Sequence, residues 1–262
     1  MPVEVLTGLI RHRRAVVSGA LAAVIAAAWA YLWLEAGVGM SPTNLAGGQI
    51  MATPSAWSLS YAALIFVMWV VMMAAMMLPS AAPTMLLVTT LAWDRLGNSN
   101  LVPFTAMLFA SGYLLIWCGF SLIATSLQWG LSEAGLLSDT MALGSAILAS
   151  TVLIMAGVYQ WTPLKDTCLR HCRSPTQFLV SHWRRGTAGA VWTGVRHGLF
   201  CLGCCWMLMA LLFVGGVMSI AWIAAIALFV LLEKTVPWGD RMSRLGGVVL
   251  FVWGAISLVQ MI

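Results

Sequence analysis

His197, Cys201, Cys204 and Cys205 stand within RHGLFCLGCCWMLMALLFVGG, a stretch otherwise apolar enough to form a membrane-crossing helix. Soft metal donors therefore sit where hydrocarbon demands inert side chains. Just upstream, KDTCLRHCRSP supplies Cys168, His171 and Cys172, so the two stretches hold five of the six cysteines and two of the four histidines. Residues four apart share a helical face, so His197, Cys201 and Cys205 form a stripe, Cys204 lies on its edge, and Met209 extends it by one turn. Imidazole, thiolate and thioether donors then follow one another along one side of the helix.

Such donors favour a soft or borderline ion. Thiolates and thioethers select Cu(I), thiolates with imidazole also suit Zn(II), and no carboxylate cluster is present to hold Mg, Ca or Mn. Copper is the expected ion and zinc the alternative. Cu(I) held by Cys201 and Cys205, with His197 or Met209 assisting, is a chemically reasonable centre, and Cys168, Cys172 or His171 would complete its shell. Plainer readings stand beside this one. The upstream thiols also suit a reduced loop with one lipid-modified cysteine, and the helical thiols suit small-residue packing aided by Gly198 and Gly203. Three cysteines and a histidine within two turns exceed what packing needs.

The elements that position these residues are apolar helices. Of the 262 residues 61% are hydrophobic and 8% charged, a composition that excludes an ordinary soluble domain. Crossing a hydrocarbon layer of about 30 Å takes about 20 such residues in a helix, because lipid offers unpaired backbone groups no partner. Seven segments meet the demand: Val16 to Leu34, Leu59 to Leu78, Leu101 to Leu127, Met141 to Trp161, His197 to Gly216, Ile220 to Val236 and Leu245 to Ile262. The expected fold is thus all-α, a polytopic transmembrane bundle of about seven spans forming a single domain over 1–262. Its longer loops run from Met40 to Trp57 and over 162–196.

Charge sets the orientation. Arg11, Arg13 and Arg14 precede the first span, and with Arg95, Lys165, Arg170, Arg173, Arg184, Arg185, Arg196, Lys234, Arg241 and Arg244 they all fall on one side of the seven-span arrangement. Glu35, Glu133 and Asp139 fall on the other. By the positive-inside rule the chain is N-in and C-out, with 162–196 cytoplasmic. A bacterial inner membrane, crossed several times, is the expected location. The net charge of +5 is explained without nucleic acid. The first apolar stretch reads as a retained anchor, since WAYLWLEAG lacks a clean small-x-small cleavage site.

A second donor-rich run, VMWVVMMAAMMLPSAAPTM, lies in the second span. Met68, Met72 and Met76 share one face and Met73 and Met77 the next, with Pro79 and Pro83 expected to end or bend the helix. Packing is the commoner use of such methionines. Met72 and Met76, facing the thiol stripe, are the residues expected to form successive weak sites along a path. Glu233 and Lys234 in the sixth span either pair with each other, snorkel to the interface or serve a polar cavity, with Glu233 a further functional candidate. Cys118, His12 and His182 are left outside the expected site.

In MWVVMMAAMMLPSAAP (68–83), YQWTPLKDTCLRHCRSP (159–175), GVRHGLFCLGCCWMLM (194–209) and LEKTVPWG (232–239), the chain resembles a family of uncharacterised bacterial proteins, predicted to be metal-binding and integral to the membrane. The resemblance implies a multi-span metal-binding protein with Cys168, Cys172, Cys201, Cys204 and Cys205 at its centre. It implies no reaction.

The leading expectation is therefore metal handling, by transport or cuproenzyme maturation, with a metallochaperone or membrane enzyme as partner besides the lipid bilayer and the ion. No nucleotide-binding motif is present, so a primary pump is not expected. One alternative is a membrane thiol oxidoreductase using the Cys201-x-x-Cys204 spacing, or a metal-dependent oxidoreductase subunit. Another is an assembly factor in which zinc staples the 162–196 segment to the fifth span. No catalytic residue is assigned.

Overall fold

The computed structural model describes residues 3–37, 57–96, 101–138, 141–184 and 186–260. The expected loop from Met40, together with Asp139 and Arg185, lies outside the described residues, as do the side chains of Arg11, His12, Arg13, Arg14, Glu35 and Arg95. The described residues form ten helices and no strand beyond one isolated bridge, between Leu137 and Leu143. In chain order they are α1 (Val3–Gly37), α2 (Leu59–Leu96), α3 (Leu101–Glu133), α4 (Ala146–Tyr159), α5 (Pro163–Arg173), α6 (Pro175–His182), α7 (Thr187–Ala210), α8 (Leu212–Gly215), α9 (Ile220–Thr235) and α10 (Gly239–Val259). The all-α expectation holds.

Five helical stretches are long and apolar enough to cross a membrane: Ala15–Leu34, Leu59–Thr90, Val102–Glu133, Thr187–Gly215 and Gly239–Val259. A sixth is reached if α4 and α5, which meet at a bend of 65°, count as one broken span. All seven expected segments contain helix, but α9 has 16 residues. At about 1.5 Å per residue it rises about 24 Å, short of the hydrocarbon thickness.

The segment 162–196, expected as a loop, folds instead into α5, α6 and the opening turns of α7. Its local chemistry explains why. Thr162 caps α5, its hydroxyl accepting from the Lys165 backbone N–H at 3.4 Å, and Pro163 and Pro175 open the two short helices. Proline suits that position because its fixed φ is already helical and its missing N–H would lack an intrahelical partner there.

Helix α2 continues through both prolines rather than ending at them. Pro79 has no N–H to give the Ala75 carbonyl four residues earlier. The indole Nε1 of Trp29 on α1 donates to that carbonyl instead, at 3.1 Å. The acceptor that Pro79 leaves open is thereby satisfied in a part-buried setting.

Helices α3 and α7 pack most intimately. A Cβ on Gly112 would overlap the Val191 carbonyl, one on Gly194 the Phe109 carbonyl, and one on Gly198 would fall 2.9 Å from Ile116. Small residues let the two backbones meet, as in helix pairs within membranes.

Polarity is distributed inside out. Large apolar side chains face outward, among them Leu115, Leu122 and Ile123 on α3 and Leu245, Val249, Trp253 and Ile256 on α10. Lys165, Gln128, Gln160, Glu233, Lys234 and Ser243 are buried. A protein in water would reverse this arrangement, because exposed apolar surface and buried charge are each unfavourable there.

Candidate metal centre

The inward face of α7 carries Thr193, His197, Cys201, Cys204, Cys205 and Met209, all buried. This is the stripe that the four-residue spacing requires. Across from it α5 turns Cys168 and Cys172 toward the interior. The approach is close because Gly203 lies between: a Cβ there would fall 2.7 Å from the Cys168 Sγ. The Tyr159 hydroxyl, at the end of α4, donates to the Gly203 carbonyl and fixes the same crossing.

Cys172 lies within side-chain hydrogen-bonding reach of both Cys201 and Cys204, which brings one thiol of α5 to the α7 thiols. The Cys204 and Cys205 Sγ atoms donate back to the Cys201 carbonyl at 3.0 and 2.9 Å. Cys205 also contacts the Met77 thioether on α2, Sγ to Sδ 3.8 Å. These sulfurs form a hydrogen-bonded cluster rather than a finished cage. Among the described residues, no three His, Cys, Asp or Glu side chains are arranged to hold an ion between them. All the described cysteines are free of disulfides.

Cys201 is the hub. The Lys234 ammonium donates to its Sγ at 3.0 Å and to the Ser80 hydroxyl at 3.2 Å. The Tyr113 hydroxyl lies 3.1 Å from the same sulfur and donates to the Met77 carbonyl at 3.2 Å. Side chains of α3 and α9 therefore meet at one sulfur atom of α7, and α2 holds both of them through Ser80 and the Met77 carbonyl.

Glu233 and Lys234 do not pair with each other. Consecutive on α9, they point apart, and Glu233 takes Lys165 of α5 as its partner, Oε1 to Nζ 2.7 Å with both side chains fully buried. Lys165 also donates to the side-chain amide oxygen Oε1 of Gln160, which accepts from the Ser243 hydroxyl at 3.0 Å. This polar knot ties α5, α9 and α10 together beside the sulfur cluster. Each member of such a knot needs the others, because an unpaired buried charge costs several kcal/mol, about 3–5 when one partner is removed.

The remaining expected residues fall at different distances. His197 is buried beneath Phe109, Tyr113 and Phe178, with ring centroids 5.8, 5.7 and 5.1 Å away, and its Nδ1 has no hydrogen-bond partner. His171 is turned the other way from its neighbour Cys172. Its ring stacks on Phe200 at 4.2 Å and its Nδ1 bonds to the Thr167 carbonyl at 2.8 Å. Met72, Met76 and Met209 are buried in the core. The methionine sulfur seen against a thiol belongs to Met77, on the neighbouring face of α2.

Three residues at the hub were not among those expected. Lys234 carried a signal, being a charge inside an apolar span, and was expected to pair with Glu233, to snorkel to the interface or to serve a polar cavity, but not to meet a cysteine. Ser80 follows Pro79, where a hydroxyl is unremarkable, and Tyr113 stands alone in an apolar run. Neither spacing nor composition marks them.

The structure thus gathers thiols, a thioether and a cation in the interior of a helical, apolar bundle. Residues 66–257 match the PpoB2 family, described as a copper chaperone, and the chain belongs to that family. The match covers every residue of the sulfur cluster and excludes α1. Neither a curated protein nor a solved structure matches the chain.

Proposed function

We propose that this protein is a membrane-embedded copper(I) chaperone that holds the ion in the cluster of Cys172, Cys201, Cys204, Cys205 and Met77 and passes it on for cuproenzyme maturation. The observation that carries this reading is the gathering of soft donors around Cys201 in a water-poor interior, within a chain of the copper chaperone family. Cu(I) accepts two thiolates and needs no completed four-ligand cage, in contrast to a structural zinc site. Rotation of Cys204 or Cys205 away from the Cys201 carbonyl brings a second sulfur to the ion and breaks a weak hydrogen bond.

Two thiolates around Cu(I) leave a net negative charge. Lys234 supplies the compensating cation at Cys201 without itself being a ligand, and Ser80 and Tyr113 hold the ammonium and the sulfur in place. The Met77 thioether offers a third, weaker donor from which the ion can move on. The outward apolar surface and the charge asymmetry of the chain support a bacterial inner-membrane location, N-in and C-out, in which the cytoplasm keeps these thiols reduced. Burial of Cys201 and Cys204, at 1% and 0% exposure, disfavours thiol–disulfide exchange with a protein substrate.

The test is anaerobic purification of the full chain followed by elemental analysis, beside the Cys201→Ser, Cys205→Ser double variant. Stoichiometric copper in the wild type and its loss in the variant support the reading. Absence of a transition metal from wild-type protein grown in copper removes it, and stoichiometric zinc in place of copper returns the zinc-staple reading.

A further inference from the structure

Helix α5 presents two consecutive residues to opposite environments: Cys172 to the sulfur cluster, and His171 to a cavity of about 350 Å³ on the far side. Arg170, His171, Ser174, Gln177, Phe178 and Ser181 line that cavity. His182, at the end of α6, stands beside it, its ring centroid 6.0 Å from that of His171. Both imidazoles are half-buried, so neither is a freely rotating surface side chain.

Their hydrogen bonds share one pattern. His171 Nδ1 bonds to the Thr167 carbonyl at 2.8 Å, and His182 Nδ1 to the Phe178 carbonyl at 3.1 Å and the Ser181 hydroxyl at 2.8 Å. A carbonyl only accepts, so each Nδ1 carries the proton and each Nε2 is left with its lone pair. This is the arrangement by which proteins fix imidazoles for metal binding, a backbone carbonyl orienting the ring and raising its basicity. Two metal–imidazole bonds of about 2 Å each, plus the depth of both rings, span about the separation observed.

A chain of ring contacts links this pair to the sulfur cluster. Phe178 stacks on His182 at 5.0 Å and lies 5.1 Å from His197, forming the floor between cavity and interior. His197 is 2% exposed with an unpartnered Nδ1, and Cys201 follows one turn along α7. An unpaired polar atom at that depth is costly unless it serves something that visits it.

Resting on the copper reading above, we propose that His171 and His182 form a two-coordinate acquisition site for Cu(I), from which the ion passes by way of His197 to Cys201. Transfer is ligand exchange at constant oxidation state, imidazole nitrogen giving way to sulfur, and each thiol that takes up the ion releases one proton to solvent. Arg170 on the rim disfavours bare cations and favours an anionic copper complex as donor.

The experiment uses full-length protein in detergent, anaerobic, with Cu(I) supplied as its bicinchoninate complex. Wild type, H171A/H182A and H171N/H182N are compared; the asparagines keep a donor for the helix carbonyls but have no second ring nitrogen. In the wild type, copper beyond saturation of the thiols shows nitrogen coordination by X-ray absorption. In both variants that signal is lost, while the thiol-bound copper remains and its loading slows by about an order of magnitude, because captured ion no longer raises the local concentration. Unchanged nitrogen coordination and loading rate in the variants overturn the acquisition site alone. Failure of the wild type to take up any copper overturns the chaperone reading beneath it.

Discussion

The Lys234 ammonium lies 3.0 Å from the Cys201 sulfur, so the cation nearest the sulfur cluster comes from a different helix than the thiol it serves. If Lys234 neutralises an anionic bis-thiolate copper complex, Lys234→Met weakens copper binding by about ten- to a hundredfold, each factor of ten being about 1.4 kcal/mol. Lys234→Arg retains part of the affinity. Competition with a chromogenic Cu(I) chelator measures both. Equal affinity in wild type and Lys234→Met refutes the counter-cation role.

Met77 makes a narrower prediction. Its thioether touches Cys205 while two thiolates carry most of the binding, so Met77→Leu keeps volume and fold but removes a weak donor. Copper affinity falls by a few-fold, about 1 kcal/mol or less, and copper transfers more slowly to an external chelator. Met72→Leu, five residues before the contact seen and on another face of α2, serves as the control and leaves both quantities unchanged.

The buried Lys165–Glu233 pair is tested through stability. Glu233→Gln leaves the Lys165 ammonium unpaired in the interior and lowers unfolding free energy by about 3–5 kcal/mol. Adding Lys165→Met to that variant restores much of the loss, since both charges are then gone. Denaturant titration in detergent separates the outcomes; equal destabilisation in the single and double variants sinks the ion-pair account.

At the α3–α7 crossing, Gly194→Ala forces its methyl against the Phe109 carbonyl. The helices must separate, at about 3 kcal/mol, the upper end of the overpacking range. His197 and Cys201 ride on the same helix, so copper affinity drops as well. Gly119→Ala, on α3 with open space around it, is the matched control and is expected to be neutral in thermal unfolding.

Helix class was legible in the sequence because apolar runs of 16 or more residues leave little choice of backbone state. The stripe of His197, Cys201 and Cys205 was legible too, since helical spacing converts directly into a face. What escaped was lateral. Which thioether meets Cys205 depends on the rotation of α2 against α7, and the Met pattern fills two adjacent faces, so Met72 and Met76 looked as suitable as Met77. The polar appearance of 162–196 suggested a loop, yet a capping threonine and two first-turn prolines fold most of it into helices. Glu233 and Lys234 looked like natural partners because they are adjacent in sequence. Adjacent residues on a helix diverge by about 100°, and each found a charge or sulfur elsewhere.

Trp29 belongs to α1, outside the range that matches the copper chaperone family, yet its indole satisfies the Ala75 carbonyl that Pro79 leaves open. The leading helix is thus a splint for the methionine-bearing one. A version trimmed to the matched range would carry a bare acceptor two residues before Met77, and any minimal copper-binding design cut from this scaffold must graft in a substitute donor or replace the proline.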